Sequence, residues 1–297
     1  MREIPPSAVA KASADRAAGA NDKGEIATRG ERRGRHSPAR NDNLENMRVR
    51  IDARELHYRE LNQRVREAVA AGERAFELTN VNGQRYIADG IRGEVKFDIH
   101  GVPGNDLGAF MDGPTIVVHG NAQDGVGNTM NAGRIVVHGH AGDVLGYGMR
   151  GGEMFVRGNV GYRVGIHMKA FRDRQPVVVA GGSASDFLGE YMAGGMLIVL
   201  GLVGMRPGQP IIGGWCGTGM HGGVIYLRGE MGSLDSTLIA SQFATAAPVG
   251  EADCDRIRPY VEEFCKLFEV DRAAAFEPGF VKIAPVSHRP FGAKYAA

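Results

Sequence analysis

Long apolar runs and a strong net charge are both missing from this sequence of 297 residues. No stretch of about 18 consecutive apolar residues occurs, so the sequence predicts no membrane-spanning helix. The formal net charge is +1, which is too small to attract nucleic acid or an anionic membrane surface through an overall field. We therefore expect neither nucleic acid nor a membrane as a partner.

Cysteine is scarce and poorly placed for disulfide or metal chemistry. The three cysteines, Cys216, Cys254 and Cys265, are odd in number, are never spaced as CxxC and are not accompanied by clustered histidines. This pattern argues against a disulfide framework, a structural zinc site and a cysteine-ligated iron–sulfur cluster in this chain. We predict that the chain itself binds no cofactor and no metal, and that it resides in a reducing cytoplasm.

The first 46 residues lack any aromatic residue and any apolar period. Such a segment buries too little apolar surface to offset the conformational entropy lost on folding, so residues 1–46 are predicted to form a disordered N-terminal extension. A targeting peptide is the alternative, but an apolar h-region is missing and the acidic residues are atypical of transit peptides. Met47 is an alternative translation start.

Residues 47–94 contain signals for one helix and one turn. Asp52 stands where an N-cap is expected, a glutamate follows three residues later, and apolar residues recur at helical spacing until Gly72. Two β-favouring runs then flank Asn82-Gly83, a dipeptide typical of two-residue hairpin turns. We therefore predict an amphipathic helix and a hairpin that pack on the remainder of the fold.

Glycine, in contrast, is abundant, and part of it recurs with a fixed period. The 44 glycines lack the every-third spacing of collagen. A glycine and, three residues later, a methionine return every 19 residues through four repeats, and the pair occurs again after an insertion. The repeated positions are Gly108, Gly127, Gly146, Gly165 and Gly189, with Met111, Met130, Met149, Met168 and Met192. A period this strict predicts a solenoid in which each repeat forms one coil.

A second set of glycines closes a short β-favouring run in each repeat. Residues two and four positions before the closing glycine lie on the same side of a strand, and all of them are apolar. The closing glycines are Gly120, Gly139, Gly158, Gly181, Gly201 and Gly229. The predicted inward ladders are Val118, Val137, Val156, Val179, Val199 and Leu227, and Ile116, Ile135, Met154, Val177, Leu197 and Ile225. A third ladder contains Leu107, Val126, Leu145, Val164, Leu188 and Ile212.

These ladders predict an all-β solenoid, a parallel β-helix of about six to seven coils with flanking N- and C-terminal helices. The β-helix is expected over residues 95–232, and a C-terminal helical segment and tail over residues 233–297. Within that segment Pro259 is placed as the first residue of a helix that has apolar residues along one face. The hexapeptide repeat of left-handed β-helices does not fit a 19-residue period.

The middle residue of each predicted strand points outward and is also apolar. An outward stripe of six apolar residues is not expected to face water in a soluble monomer. The stripe is therefore predicted to be covered, either by the chain's own terminal helices or by a partner subunit. It consists of Val117, Val136, Phe155, Val178, Ile198 and Tyr226.

The sequence offers no constellation of residues for catalysis. Strings such as GYGMRGG resemble nucleotide-binding loops, but their recurrence in every coil indicates corners of coils and not a phosphate cradle. Cys216 has His167 and His221 as candidate partners for a nucleophile pair, yet no acidic residue stands in phase to orient either imidazole. We expect no catalytic and no cofactor-binding residue in this chain.

Two polar columns recur with the repeat. His119 and His138 lie one period apart and are candidates for a shared metal or for a solvated basic face, and the arginines further along the column favour the basic face. Asp124, Asp143 and Asp186 form a second column. Carboxylates stacked in this way repel one another unless each accepts hydrogen bonds from turn N–H groups, so corner capping is favoured over a calcium site.

Two insertions interrupt the period, one of four residues within 169–176 and a longer one at 205–216. They are expected to protrude as loops and to contact a partner, because arginine and aromatic side chains are the types that anchor protein interfaces. The predicted contact residues are Phe171, Arg172, Arg174, Arg206 and Trp215.

The strings GNAQDGVGNTMNAG, GIHMK, DFLGEYMAGG and GTGMHGG, within residues 120–223, resemble the GXGXG domain of glutamate synthase. That domain occurs as the C-terminal β-helix of the large subunit and as a separate small protein. The resemblance implies a right-handed β-helix without catalytic residues. It also implies an amidotransferase that releases ammonia from glutamine, and a synthase with FMN and an iron–sulfur cluster that reduces the 2-oxoglutarate imine. Both would be partner subunits.

The function predicted from this resemblance is that of a non-catalytic structural subunit of a multi-subunit glutamate synthase-like oxidoreductase. The same repeat also resembles the GXGXG-containing subunit of formylmethanofuran dehydrogenase, so a subunit of a one-carbon formyl-transfer complex is the first alternative. An autonomous enzyme that uses a groove on the β-helix is the second.

Overall fold

The computed structural model describes residues 48–206 and 208–288. The predictions for residues 1–46, for a start at Met47 and for the end of the C-terminal tail lie outside the described residues. The elements are, in chain order, β1 (Val49–Asp52), α1 (Tyr58–Ala70), β2 (Ala75–Asn82), β3 (Lys96–Val102), β4 (Asp112–His119), β5 (Ala132–Val137), β6 (Glu153–Val156), β7 (Val177–Ala180), β8 (Ala193–Val199), β9 (Gly222–Arg228), β10 (Ala244–Pro248), α2 (Glu251–Phe268), α3 (Arg272–Phe276) and β11 (Phe280–Pro285). Two 3₁₀ turns, Met231–Ser233 and Ser236–Leu238, lie between β9 and β10.

The strands form one sheet of 11 strands in which β1 to β9 are neighbours in sequence order. All eight pairs of neighbours within β1 to β9 are parallel, so the chain returns to the same side after every coil. β11 then pairs antiparallel with β9, and β10 pairs antiparallel with β11. Long sequential runs of parallel strands require a crossover after each strand, and here each crossover is the rest of a coil. The predicted all-β solenoid is confirmed.

The sheet begins at Val49, well before the predicted start near residue 95. The hairpin prediction at Asn82-Gly83 is wrong, because β2 pairs in parallel with both β1 and β3. Asp52 is not an N-cap: it ends β1 and accepts a hydrogen bond from the Arg54 N–H at 2.9 Å. An Asn-Gly dipeptide occurs at the corner of a coil as well as in a hairpin, and an aspartate occurs at the end of a strand as well as at an N-cap. The local sequence alone therefore does not distinguish these possibilities.

Helix α1 packs against the first coils of the solenoid. Its N-cap is His57, and it buries Leu61 and Val65 in the same apolar cluster that contains the residues of β2 and β3. Phe76 and Phe97 lie inside these coils with their rings stacked at 5.0 Å between centroids. The apolar side of the amphipathic helix therefore meets the interior where the solenoid starts.

The two strand ladders of the interior are as predicted, except for a shift of phase in β7. Val156 pairs with Ala180, and Ala180 pairs with Val199, so Val178 and Ala180 point inward. The predicted inward residues Val177 and Val179 instead point outward. The closing glycine of this coil is therefore Gly182 and not Gly181.

Hydrogen bonds confirm the corrected phase. The Gly182 N–H donates to the Gly158 carbonyl at 3.0 Å, and the Gly201 N–H donates to the Gly182 carbonyl at 3.1 Å. Gly182 and Gly201 are 19 residues apart, which restores the period, whereas Gly158 and Gly182 are 24 apart. The first insertion is consequently five residues long and not four.

Helix α2 covers the outward apolar stripe of β5 to β9. Ile257, Val261 and Phe264 are fully buried and belong to one cluster with the outward residues Phe155 and Tyr226. Val136, Phe155, Ile198 and Tyr226 of the predicted stripe lie in this cluster, and Val117 is half-buried at its border. The prediction for Val178 is wrong, because Val178 points inward and Val179 takes its place in the stripe. Because the chain itself supplies this cover, the stripe does not need a partner.

The prediction that Pro259 begins this helix is wrong, because α2 begins eight residues earlier, at Glu251. Polar contacts tie the helix to the sheet, including an ion pair of 2.9 Å between Asp253 and Lys282 of β11. Arg134 bridges Glu153 of β6 and Glu263 of α2 at 2.7 and 2.6 Å, and the Tyr226 hydroxyl donates to Asp253 at 2.6 Å.

Candidate partner interface

Each coil turns through a corner in which every second residue has a positive φ. In the corner that ends at Met149, Val144, Gly146 and Gly148 have φ values of 50°, 71° and 57°. Glycine adopts such values without strain, which explains why GXG strings recur at these positions. The same alternation occurs in the corners that end at Met111, Met130, Met168, Met192 and Met220, all of which are buried methionines.

Neighbouring corners stack through main-chain hydrogen bonds. The Gly127 N–H donates to the Leu107 carbonyl of the preceding coil at 2.9 Å, and the Thr129 N–H donates to the Tyr147 carbonyl of the following coil at 2.7 Å. The corner is thus a ladder like the sheet, although its backbone conformation differs. The repeated glycines and methionines therefore serve the stacking of the coils, the glycines in the corners and the methionines in the interior.

The third inward ladder ends at Cys216 and not at Ile212. The Gly217 N–H donates to the Leu188 carbonyl at 2.8 Å, which places Cys216 above Leu188. Ile212 is also buried, but it bridges to Ala184 in a different column of the coil. The longer insertion hides this register in the sequence, because Gly189 and Gly217 are 28 residues apart.

The aspartate column caps corners, as predicted. Asp124 accepts from the Asp143 N–H at 2.9 Å, and Asp143 accepts from the Tyr162 N–H at 2.9 Å. Asp186 accepts from the Gly214 N–H at 2.8 Å. Each carboxylate is therefore occupied by a main-chain donor of the next coil.

The histidine column is a stack of imidazole rings. The ring centroids of His100 and His119 lie 4.5 Å apart, and those of His119 and His138 lie 5.4 Å apart. His138 is half-buried against Phe268 of α2, and burial together with His119 and Arg157 lowers its pKa. In the described part of the chain no group of three or more His, Cys, Asp or Glu side chains is arranged to hold a metal ion.

We expect Cys216 to resist alkylation by iodoacetamide in the folded chain. Its side chain is completely buried, and burial raises the pKa of the thiol to about 12, so the reactive thiolate is nearly absent at neutral pH. Cys254 is partly exposed and serves as the internal control. Mass spectrometry of the native and urea-unfolded chain measures both sites, and rapid native labelling of Cys216 would contradict its place in the core.

The five residues predicted to contact a partner lie at three different places in the coils. Phe171 and Arg174 close a tight turn near the strand starts through reciprocal main-chain hydrogen bonds of 3.0 Å. Arg174 folds back onto Asp112 at 3.2 Å, and all three side chains, Phe171, Arg172 and Arg174, are exposed. The turn therefore exposes all three predicted side chains, one of which, Arg174, is already in an ion pair.

The other two predicted contact residues lie elsewhere. Arg206 borders an open polar depression of about 630 Å³ beside His140 and Asn159, which follow the closing glycines. Trp215 stands in a positive-φ corner and is 63% exposed, more than any other large apolar side chain described. The structure thus does not bring the five residues together.

The larger feature that sequence reasoning missed is a set of exposed aromatic residues on the corners. Tyr86, Phe110, Tyr191 and Trp215 all have positive φ, and all four side chains are exposed. Further exposed aromatic residues are Tyr147, Tyr162, Phe171 and Phe243. The sequence does contain a signal for these residues. Each of the four with positive φ directly precedes a buried residue of its corner, at a position that is glycine in some other corners.

A family model described as the GXGXG motif matches residues 57–285. The chain belongs to this family. The match agrees with the resemblance of the sequence to the GXGXG domain of glutamate synthase. In this GXGXG protein the motif corresponds to the alternating positive-φ residues of the stacked corners.

A relative of this GXGXG protein is known by sequence in an archaeon. An uncharacterized protein of Methanocaldococcus jannaschii is 49% identical to this chain, and the similarity covers 83% of this chain and 96% of that protein. The similar region therefore makes up nearly the whole of the archaeal protein. Among the described residues of the present chain, no helix is long and apolar enough to cross a bilayer.

Proposed function

We propose that this chain is a non-catalytic structural subunit of a multi-subunit glutamate synthase-like complex. In this proposal an amidotransferase subunit releases ammonia from glutamine, and a synthase subunit carries FMN and an iron–sulfur cluster. The chain holds these two subunits in a fixed relation. A displacement of about 1 Å at a reacting centre can cost on the order of 100-fold in rate, so a rigid spacer is a sufficient role.

The observation that carries the proposal is that the residues of the family motif serve the stacking of coils. The glycines adopt the positive φ of the corners, and the methionines fill the interior. Cys216 is buried in a core ladder, and the aspartates of the second column accept main-chain hydrogen bonds. What faces outward on the corners is a row of aromatic rings, which suits contact with another protein.

Reconstitution tests the proposal directly. We expect the purified chain to show no flavin absorbance band and no glutamine-dependent turnover by itself. With an amidotransferase subunit and an FMN-containing synthase subunit from the same genome, it should co-elute and restore turnover that the other two subunits lack without it. Flavin bound to the isolated chain would contradict the structural role. Co-elution with formyltransferase subunits in place of these two would favour the one-carbon alternative.

A further inference from the structure

We propose that one part of the corner surface, the aromatic corner face, is the docking surface for a partner subunit with acidic side chains around an apolar patch. The aromatic corner face comprises Tyr147, Tyr162, His167, Tyr191 and Trp215. The proposal rests on the structural-subunit function and specifies which surface of the solenoid serves it. It moves most of the predicted interface from the two insertions to the stacked corners, and Trp215 is common to both.

The rings of Tyr147, His167 and Tyr191 form a continuous surface over successive coils. The ring of His167 lies 5.8 Å from that of Tyr147 and is stacked on that of Tyr191 at 5.3 Å. The Tyr191 N–H donates to the Thr218 carbonyl at 2.8 Å, and Thr218 donates through its hydroxyl to the Trp215 carbonyl at 2.7 Å. A row of exposed rings therefore runs along the stack to Trp215.

A groove continues the face beyond the last corner. It has a volume of about 460 Å³ and lies between Trp215 and Phe243, with Thr218, Ile239 and Ala240 among its lining residues. Trp215 and Phe243 are 63% and 39% exposed. An aromatic pair over a groove of this size can receive an apolar side chain of a partner, as interface anchors do.

The backbone conformation gives an independent reason to assign a role to these rings. Tyr191 and Trp215 have φ values of 51° and 62°, a region in which a residue with a side chain is strained relative to glycine. The position of Tyr191 is taken by Gly148 and Gly219 in other corners, and that of Trp215 by Gly125. The ring of Trp215 neither relieves the strain nor fills the core, and at 63% exposure it is available for contact with another molecule.

The border of the face carries positive charge that the described part of the chain does not neutralise. Arg150 and Lys169 follow the buried methionines of two adjacent corners, and Arg172 lies three residues further, in the exposed turn. None of the three appears in an ion pair with the described residues, whereas Arg174 of the same turn is paired with Asp112. Asp173 is the acidic residue within that turn. On this border the cations outnumber the carboxylates, which is complementary to acidic side chains of a partner, whereas Asp143 and Asp186 carry negative charge at the opposite ends of the corners.

The variant Trp215→Gly separates docking from folding. We expect the affinity of the chain for the co-purified amidotransferase and synthase subunits to fall by about 30-fold or more, as for an aromatic anchor residue. The melting temperature of the isolated chain should stay within about 2 °C of wild type, because relief of the positive φ offsets the added freedom of the unfolded chain. Titration calorimetry and thermal melting measure the two effects.

Phe110→Gly is the matched control, since Phe110 is also an exposed aromatic residue with positive φ, at 53% exposure and 58°. Phe110 lies several coils before Trp215 and outside the aromatic corner face, so the affinity of the Phe110→Gly variant for the subunits should remain within about twofold of wild type.

A second experiment tests the charge of the partner surface. The double variant Lys169→Glu and Arg172→Glu should associate with the subunits more slowly, and the rate of association should depend less on salt.

The outcomes distinguish the two levels of the proposal. If wild type binds the subunits and Trp215→Gly binds equally well, the aromatic corner face is not the docking surface, and the structural-subunit function stands. If wild type binds neither subunit, both the function and this surface are wrong. Unchanged association kinetics in the charge-reversed variant would refute the acidic character of the partner surface.

Discussion

Ile135→Asp is expected to remove a large part of the stability of the isolated chain. Ile135 is 1% exposed, and its neighbours in the same ladder are Ile116 and Met154. The substitution removes apolar burial and places a carboxyl group where no polar partner exists, which together cost at least about 4 kcal/mol. Because domains of this kind are stable by only about 5–15 kcal/mol, the loss is a large fraction of the total.

Lys96→Asp is the control for this experiment. Lys96 is exposed on the outer side of β3, so the same new side chain should change the free energy of unfolding by less than about 1 kcal/mol. Urea unfolding followed by circular dichroism compares the two variants with wild type. Equal losses would show that the inward and outward sides of the strands have been assigned incorrectly.

Gly133→Ala should be the second most damaging change, although it adds only one methyl group. Gly133 has a φ of 108°, and a Cβ atom there would overlap the carbonyl oxygen of Pro114 in the preceding coil. The backbone strain costs about 1–2 kcal/mol, and the overlap with main chain that cannot rotate away adds about 1–3 kcal/mol. We expect a loss of about 2–5 kcal/mol in the free energy of unfolding.

Gly72→Ala isolates the strain from the overlap. Gly72 has nearly the same φ, 104°, but a Cβ atom there would have no neighbour within 4 Å. This variant should lose only the strain contribution, about 1–2 kcal/mol. If both alanine variants melt at the same temperature, the close approach of the coils at Gly133 has no energetic consequence, and the packing argument fails.

The architecture could be predicted from the sequence because the 19-residue period places chemically similar residues at the same position in successive coils. That signal indicated the parallel coils and most inward residues without any knowledge of the turns. It failed where an insertion left two adjacent glycines as candidates. Gly181 and Gly182 can each be the glycine that closes the β-favouring run of the coil. Only the hydrogen bonds of Gly182 with Gly158 and Gly201 show that it is Gly182. For the same reason, the longer insertion led to Ile212 being predicted as the last residue of the third ladder in place of Cys216.

The candidate site was harder to predict, because exposure on a solenoid depends on backbone conformation. Trp215 was selected as an aromatic residue in an insertion, but the structure places it in a corner of the repeat itself. Tyr191 was not selected, since its repeat position usually carries a small or polar residue. Arg174 was selected for its charge, and the structure shows it exposed but already in an ion pair with Asp112. Side-chain partners that are distant in sequence cannot be read from the repeat.

The position of α2 also bears on how the chain is made on the ribosome. The nascent chain emerges from its N-terminus, and β5 to β9 precede Glu251, the first residue of the covering helix. The outward apolar residues of these strands are therefore complete before the segment that buries them has been synthesised. During this interval a finished sheet surface is open to other nascent chains, and a ribosome that stalls before α2 leaves behind a product prone to aggregation.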